Sequence, residues 1–114
     1  MKSGGKRVRE ITIRAVIYQQ GDSLCAQCLE WDIATQAKNL DDLCHDLDRL
    51  IVGHVAIGLE HGFDALAAAR RAPRKYWEMF RRSRIELPPQ KLRFKPKKRG
   101  ITVRPPQIRI VSAA

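Results

Sequence analysis

Apolar residues recur at helical spacing over one long stretch, Asn39 to Gly62. Leu40, Leu43, Leu47, Leu50, Ile51, His54, Ile57 and Gly58 fall on successive turns of a stripe, while Asp41, Asp42, Asp46, Asp48 and Arg49 lie mostly outside it. The spacing predicts an amphipathic helix roughly 34 Å long. Asn39 suits its N-cap, Asp41 and Asp42 suit the positive end of its dipole, and Gly62 can take the left-handed conformation that ends it. Upstream the period changes to two. In VREITIRAVIYQ, starting at Val8, residues Ile11, Ile13, Ala15 and Ile17 share one face of a strand and Glu10, Thr12 and Arg14 the other. Gln19-Gln20-Gly21-Asp22 is a turn by composition and leads into the β-capable SLCAQCLEW, so a hairpin is expected. A third extended run, DIATQAK, precedes Asn39.

Beyond Gly62, FDALAAARRA can form a short helix capped by Asp64 and stopped by Pro73, which then suits the first turn of PRKYWEMFRRSR. Tyr76, Trp77 and Phe80 form one aromatic face of that helix, between Arg74, Lys75, Arg81 and Arg82. Three large aromatics on one face usually close a core; the alternative is a stacking or cation–π surface. From Leu87 the chain becomes proline-rich and basic, with the run KPKKR, and it holds two β-capable pieces, Ile101 to Val103 and Gln107 to Val111. The second alternates well enough to add an edge strand. The pattern therefore predicts an α+β unit over residues 8–84, a three-stranded antiparallel sheet packed on one long helix with further helices after it. A basic tail follows over 85–114, with an edge strand near 107–111. Such a sheet leaves an edge and part of a face open, so a homodimer through the sheet edge or the helix is expected.

Charge divides the chain differently. The net charge of +10 is distributed as +4 over residues 1–14, −7 over 15–64 and +13 over 65–114. An acidic centre lies between basic ends, so centre and ends are expected to meet different partners, or each other. No apolar run approaches the length of about eighteen residues that a membrane span needs, and MKSGGKRVRE is unlike a signal peptide. The three cysteines are an odd number, a poor fit to a secreted disulfide framework. The expectation is a cytoplasmic protein with no membrane partner.

Residues with chemical potential do not assemble into a motif. Cys25 and Cys28 are three apart, which on a strand turns them to opposite faces, and no second pair completes a zinc site. Cys44, His45 and Asp46 are the residue types of a nucleophilic triad, but neighbours on a helix do not face one another. His54 reads as a core or interface histidine and His61 as a helix C-terminal donor. GxxxxGK[ST], GxGxxG and HExxH are all missing from the sequence. No catalytic residue, cofactor or metal is expected, and no enzymatic activity.

The succession IRAVIYQQGDSLCAQCLEWD, then ATQAKNLDDL, then LDDLCHDLDRLIVGHV resembles the N-terminal domain of HicB-like antitoxins and their stand-alone relatives over residues 8–60. Family members commonly carry a Pro and Gly between the second and third strands and a Gly before the helix. This chain has Leu29-Glu30-Trp31-Asp32 and Ala37-Lys38 instead, and no DNA-binding helix-turn-helix is recognisable after the domain. The resemblance implies a β-β-β-α unit of reduced ribonuclease H type, dimeric and non-catalytic, that masks a basic RNA-cleaving toxin. Glu30, Asp32, Asp42 and Asp46 are the acidic candidates for pairing with that toxin's Lys and Arg. A different expectation rests on the tail, where Arg93, Lys95, Lys97, Lys98, Arg99 and Arg104 can neutralise phosphates and bind nucleic acid, with the Tyr76–Trp77–Phe80 helix assisting. A third is an orphan interaction module.

Overall fold

A computed structural model describes residues 9–60, 70–88 and 101–111. The described elements are β1 (Arg9–Ile11), β2 (Arg14–Gln20), β3 (Ser23–Cys28), β4 (Ala34–Ala37), α1 (Leu40–Glu60), α2 (Arg74–Arg82), β5 (Ile85–Glu86), β6 (Ile101–Val103) and β7 (Gln107–Ile110). The α+β class is as expected, but the sheet is five-stranded and mixed, in the order β4-β3-β2-β7-β5, rather than three-stranded and antiparallel. β2 and β3 form the expected hairpin. Gln20 stands opposite Ser23, and Gly21 takes a φ of 60° in the two-residue loop, a conformation that costs glycine nothing. β4 continues the antiparallel order on β3.

The other flank departs from the sequence expectation. β7 pairs in parallel with β2 and antiparallel with β5, so the segment near 107–111 is an inner strand and β5 takes the edge. β1 pairs in parallel with β6 as a separate two-stranded ribbon. The expected single strand from Val8 is thus split at Thr12–Ile13, opposite Pro105 and Pro106. Prolines have no N–H for the ladder, and the chain crosses the gap on the bonds Arg104 N–H to Ile11 O and Gln107 N–H to Ile13 O.

The five-stranded sheet carries a helix on each face. On one, Ile13, Ala15, Ile17, Ala26, Cys28 and Ile108 pack with Trp31 against Leu43, Leu47, Ile51 and Val55 of α1. The buried line of the helix is narrower than the stripe read from the sequence. It runs at steps of four residues through Val55, leaving Leu50 36% and Ile57 59% exposed on its flank. Asn39 caps α1, its Oδ1 accepting from the Asp42 N–H at 2.9 Å and its Nδ2 donating to the Asp42 carboxylate at 3.0 Å. Gly62, His61 and the short helix expected after them lie outside the described residues. On the opposite face, Val16 and Leu29 pack with Ala72 and Phe80, bordered by Tyr76, Trp77 and Met79 of α2. The aromatic face of PRKYWEMFRRSR therefore closes a second, smaller core. Among the described residues no helix is long and apolar enough to cross a membrane.

Candidate functional site

Strand alternation sorts chemistry as well as packing. Arg14, Val16 and Tyr18 of β2, Cys25 and Gln27 of β3 and Arg109 of β7 face α2, while their sequence neighbours face α1. Between α2 and this face lies an open cleft of about 770 Å³, lined by Arg14, Arg71, Ala72, Arg74, Trp77, Phe80, Arg81, Gln107 and Arg109. Five guanidinium groups thus surround one apolar floor.

Four of the five arginines are held by contacts with rings, carboxylates or carbonyls. Arg71 lies between two backbone bonds, Asp32 N–H to Arg70 O at 2.7 Å and Ala72 N–H to Leu29 O at 2.9 Å, which fix its stretch of chain to the β3–β4 connection. Its guanidinium carbon sits 4.3 Å from the centre of the Trp77 ring, and that of Arg14 sits 4.8 Å from the same ring. The ring is itself anchored, its Nε1–H donating to Ala72 O at 3.2 Å. Arg14 is held further by Glu30, which accepts from the Arg14 Nε at 2.7 Å and from its backbone N–H at 2.7 Å. Arg109 lies 4.3 Å from the Phe80 ring, donates to Phe80 O at 3.0 Å and pairs with Glu86 at 3.3 Å. The Glu86 carboxyl is held below its ordinary value by the Gln107 amide and then by Arg109. Arg74 pairs with Glu78 one turn along α2. No carboxylate among the described residues pairs with Arg71 or Arg81, which leaves these two most available to a ligand.

This arrangement settles what the aromatic residues present. Tyr76 lies against Tyr18 with ring centres 5.9 Å apart, Phe80 is buried beneath Arg109, and Trp77 carries two arginines. The rings support cations rather than offering bare faces to a base. Tyr18 is pushed up to about 12, by burial first and then by Tyr76, so its hydroxyl stays neutral and adds no negative charge. Planar, permanently charged forks over an apolar floor suit phosphate or carboxylate oxygens.

The residues proposed from sequence are distributed differently. Glu30 is engaged with Arg14 on the α2 side, and Asp32 accepts from the Gln27 amide at 2.9 Å in the β3–β4 connection. Asp42 belongs to the α1 cap, and Asp46 lines a shallow hollow of about 400 Å³ with Ala34, Thr35, Arg49 and Leu50. Asp42 and Asp46 are one helical turn apart, while Glu30 serves the opposite layer. Of the basic candidates, Arg93, Lys95, Lys97, Lys98 and Arg99 lie outside the described residues, and Arg104 is exposed between β6 and β7. Sequence reading missed Arg14, Arg71 and Arg109 as companions of Trp77 and Phe80. Arg14 stands on the expected polar face of its strand, which was the one local sign.

The thiols do not converge. Cys25 faces α2, its Sγ 3.5 Å from the Gln20 amide oxygen, whereas Cys28 is buried in the α1 core. Burial, then Glu30, pushes the Cys28 thiol up to about 12; burial, then Asp41, raises that of Cys44. Neither thiol is poised as a nucleophile. Among the described residues no cluster of His, Cys, Asp and Glu is arranged to hold a metal ion. Comparison with protein-family models, curated proteins and solved structures finds no match to this chain.

Proposed function

We propose that the chain is a non-catalytic binding module that grips the sugar–phosphate backbone of a nucleic acid in the arginine cleft between α2 and the sheet. The observation that carries this reading is the convergence of Arg14, Arg71, Arg74, Arg81 and Arg109 on the Trp77–Phe80 floor. Charge of one sign in a concave site attracts polyanions, and the binding it gives is salt-dependent and largely indifferent to sequence. The basic segment containing Arg93, Lys95, Lys97, Lys98, Arg99 and Arg104 adds charge on the same chain. Fluorescence anisotropy of the full chain with labelled RNA and DNA across a salt series tests the reading. Replacing Arg71 and Arg81 together by Ala is expected to weaken binding at least tenfold at low salt and to reduce the salt slope by roughly two phosphate contacts. Unchanged affinity and slope would sink the cleft as the site.

A second reading is favoured by the element order β2-β3-β4-α1, the succession on which the resemblance to HicB-like antitoxins rests. In that reading the exposed Asp42 and half-buried Asp46 of α1, with the exposed Asp32 of the β3–β4 connection, dock a small basic toxin. Glu30, engaged with Arg14, takes no part in it. Capture of one basic protein from nuclease-treated lysate, lost on Asp42→Lys with Asp46→Lys but kept in the arginine variant, is its expected signature.

A further inference from the structure

A surface that holds single-stranded nucleic acid combines a basic groove with aromatic rings on which the unpaired bases stack. The arginine cleft has the groove without such platforms. Among the described residues, every aromatic ring on this side of the sheet is already in contact with a cation or another ring. Trp77 carries Arg14 and Arg71, and Phe80 is buried beneath Arg109. Tyr76 meets Tyr18 and has the Lys75 ammonium 4.9 Å from its ring centre. The uncharged donors that line the cleft are engaged as well, the Gln107 amide with Glu86 at 2.8 Å and the Trp77 Nε1–H with Ala72 O at 3.2 Å. The guanidinium groups are arranged otherwise. Glu30, Glu78 and Glu86 meet Arg14, Arg74 and Arg109 at Nε, the edge of the fork nearest the chain, and Arg109 places one Nη on Phe80 O. The outer ends of the forks are the part of the cleft left to a ligand, and they suit phosphate oxygens.

We propose that the cleft takes the backbone of a duplex and discriminates against single strands. The inference rests on the cleft being the nucleic-acid site, and it names the form of nucleic acid that the site selects. Paired bases satisfy one another's edges and faces, so a duplex loses nothing by offering only its phosphates. A single strand held by phosphates alone finds no ring for its bases, and it gives up backbone freedom that the duplex has already lost. Charge acts in the same direction. A duplex carries twice the charge of either strand per unit length and releases more counterions for each phosphate contacted.

Fluorescence anisotropy of the full chain with a short DNA duplex, each of its separate strands and a base-free deoxyribose–phosphate strand of equal length tests this. At the same salt the duplex is expected to bind at least about tenfold tighter than either strand, beyond the factor of about two that a second backbone gives by statistics. The base-free strand is expected to match the ordinary strands within about twofold, because no base is held. Replacing Arg71 and Arg81 together by Ala is expected to narrow the duplex preference. Suppose the arginine variant binds more weakly, so that the cleft stands as the site. A single strand that binds the parent as tightly as the duplex then overturns the inference, and so does a strand that loses affinity when its bases are removed. A duplex preference undiminished in the arginine variant also overturns it, since the selection then lies elsewhere on the chain. If no probe binds, or the variant binds every probe as the parent does, the cleft itself has failed as the site and the inference falls with it.

Discussion

On the α1 side of the sheet, Ala15, Ile17, Ala26, Cys28 and Ile108 meet Leu43, Leu47, Ile51 and Val55, all buried. On the α2 side, the neighbours of those same strand residues meet a helix through a smaller buried set, Val16, Leu29, Ala72 and Phe80, with Tyr76, Trp77 and Met79 half-buried at its border, and arginines fill the margin. One ladder of strands supplies both layers. Burial of four large aliphatics from a single helix, at about 2 kcal/mol or more each, makes the first side the source of stability. The second buries less and keeps its cations in half-buried or exposed positions, four of the five propped by a ring, a carboxylate or a carbonyl. What the difference teaches is that alternation along a strand can separate the part that holds the fold from the part that meets a ligand.

The comparison breaks most visibly at Leu47. Leu47→Ala is expected to lose about 3–4 kcal/mol in urea unfolding, because the fully buried site has little room to relax. Arg81→Ala, on the other side, should change stability by less than about 0.5 kcal/mol. Comparable losses at the two positions would erase the distinction.

Glu30→Gln sharpens it in a different way. Removing the charge that faces Arg14 is expected to lower stability by about 1 kcal/mol, a modest figure because the pair is partly exposed. At the same time the cleft gains a net positive charge, so affinity for a polyanion at low salt should rise. Stability and binding moving in opposite directions is the outcome to look for.

The smallest effect belongs to His54, whose ring lies 4.5 Å from that of Trp31 at the rim of the α1 core. Burial holds its pKa below the ordinary 6.5, so the unfolded chain takes up the proton first. Its contribution to stability is therefore complete above 6.5, falls as the pH drops through that value, and levels off below the folded pKa. Urea midpoints between mildly acidic and neutral pH should show a shallow rise with pH that His54→Gln reduces.

Local signals carried the parts of the fold that are local. Asn39 before a periodic run, and Gly21 between two alternating runs, announced the helix start and the hairpin because cap and turn chemistry act over a few residues. The core line of α1 was legible only in part. A period of 3.6 admits Leu50, Ile51 and Val55 to neighbouring positions, and only the sheet beneath decides which of them it covers. The pairing of β7 with β2 left no local mark, because parallel partners are chosen by what remains open after the hairpin forms. The same holds for the cleft. Its arginines come from β2, the stretch before α2, α2 itself and β7, so the charge map along the chain divides them between its two basic ends and hides their meeting.

The β2–β7 ladder has a consequence for the making of the protein. β2 leaves the ribosome about 90 residues before β7, a delay on the order of ten seconds at ordinary rates of translation. Throughout that interval the nascent β2–β3 hairpin carries Ala15 and Ile17 beside an unpaired edge, while β4 and α1 emerge behind it. The half-built sheet is then at its stickiest. A chaperone that shields strand edges would act on this nascent chain before it acted on the finished one.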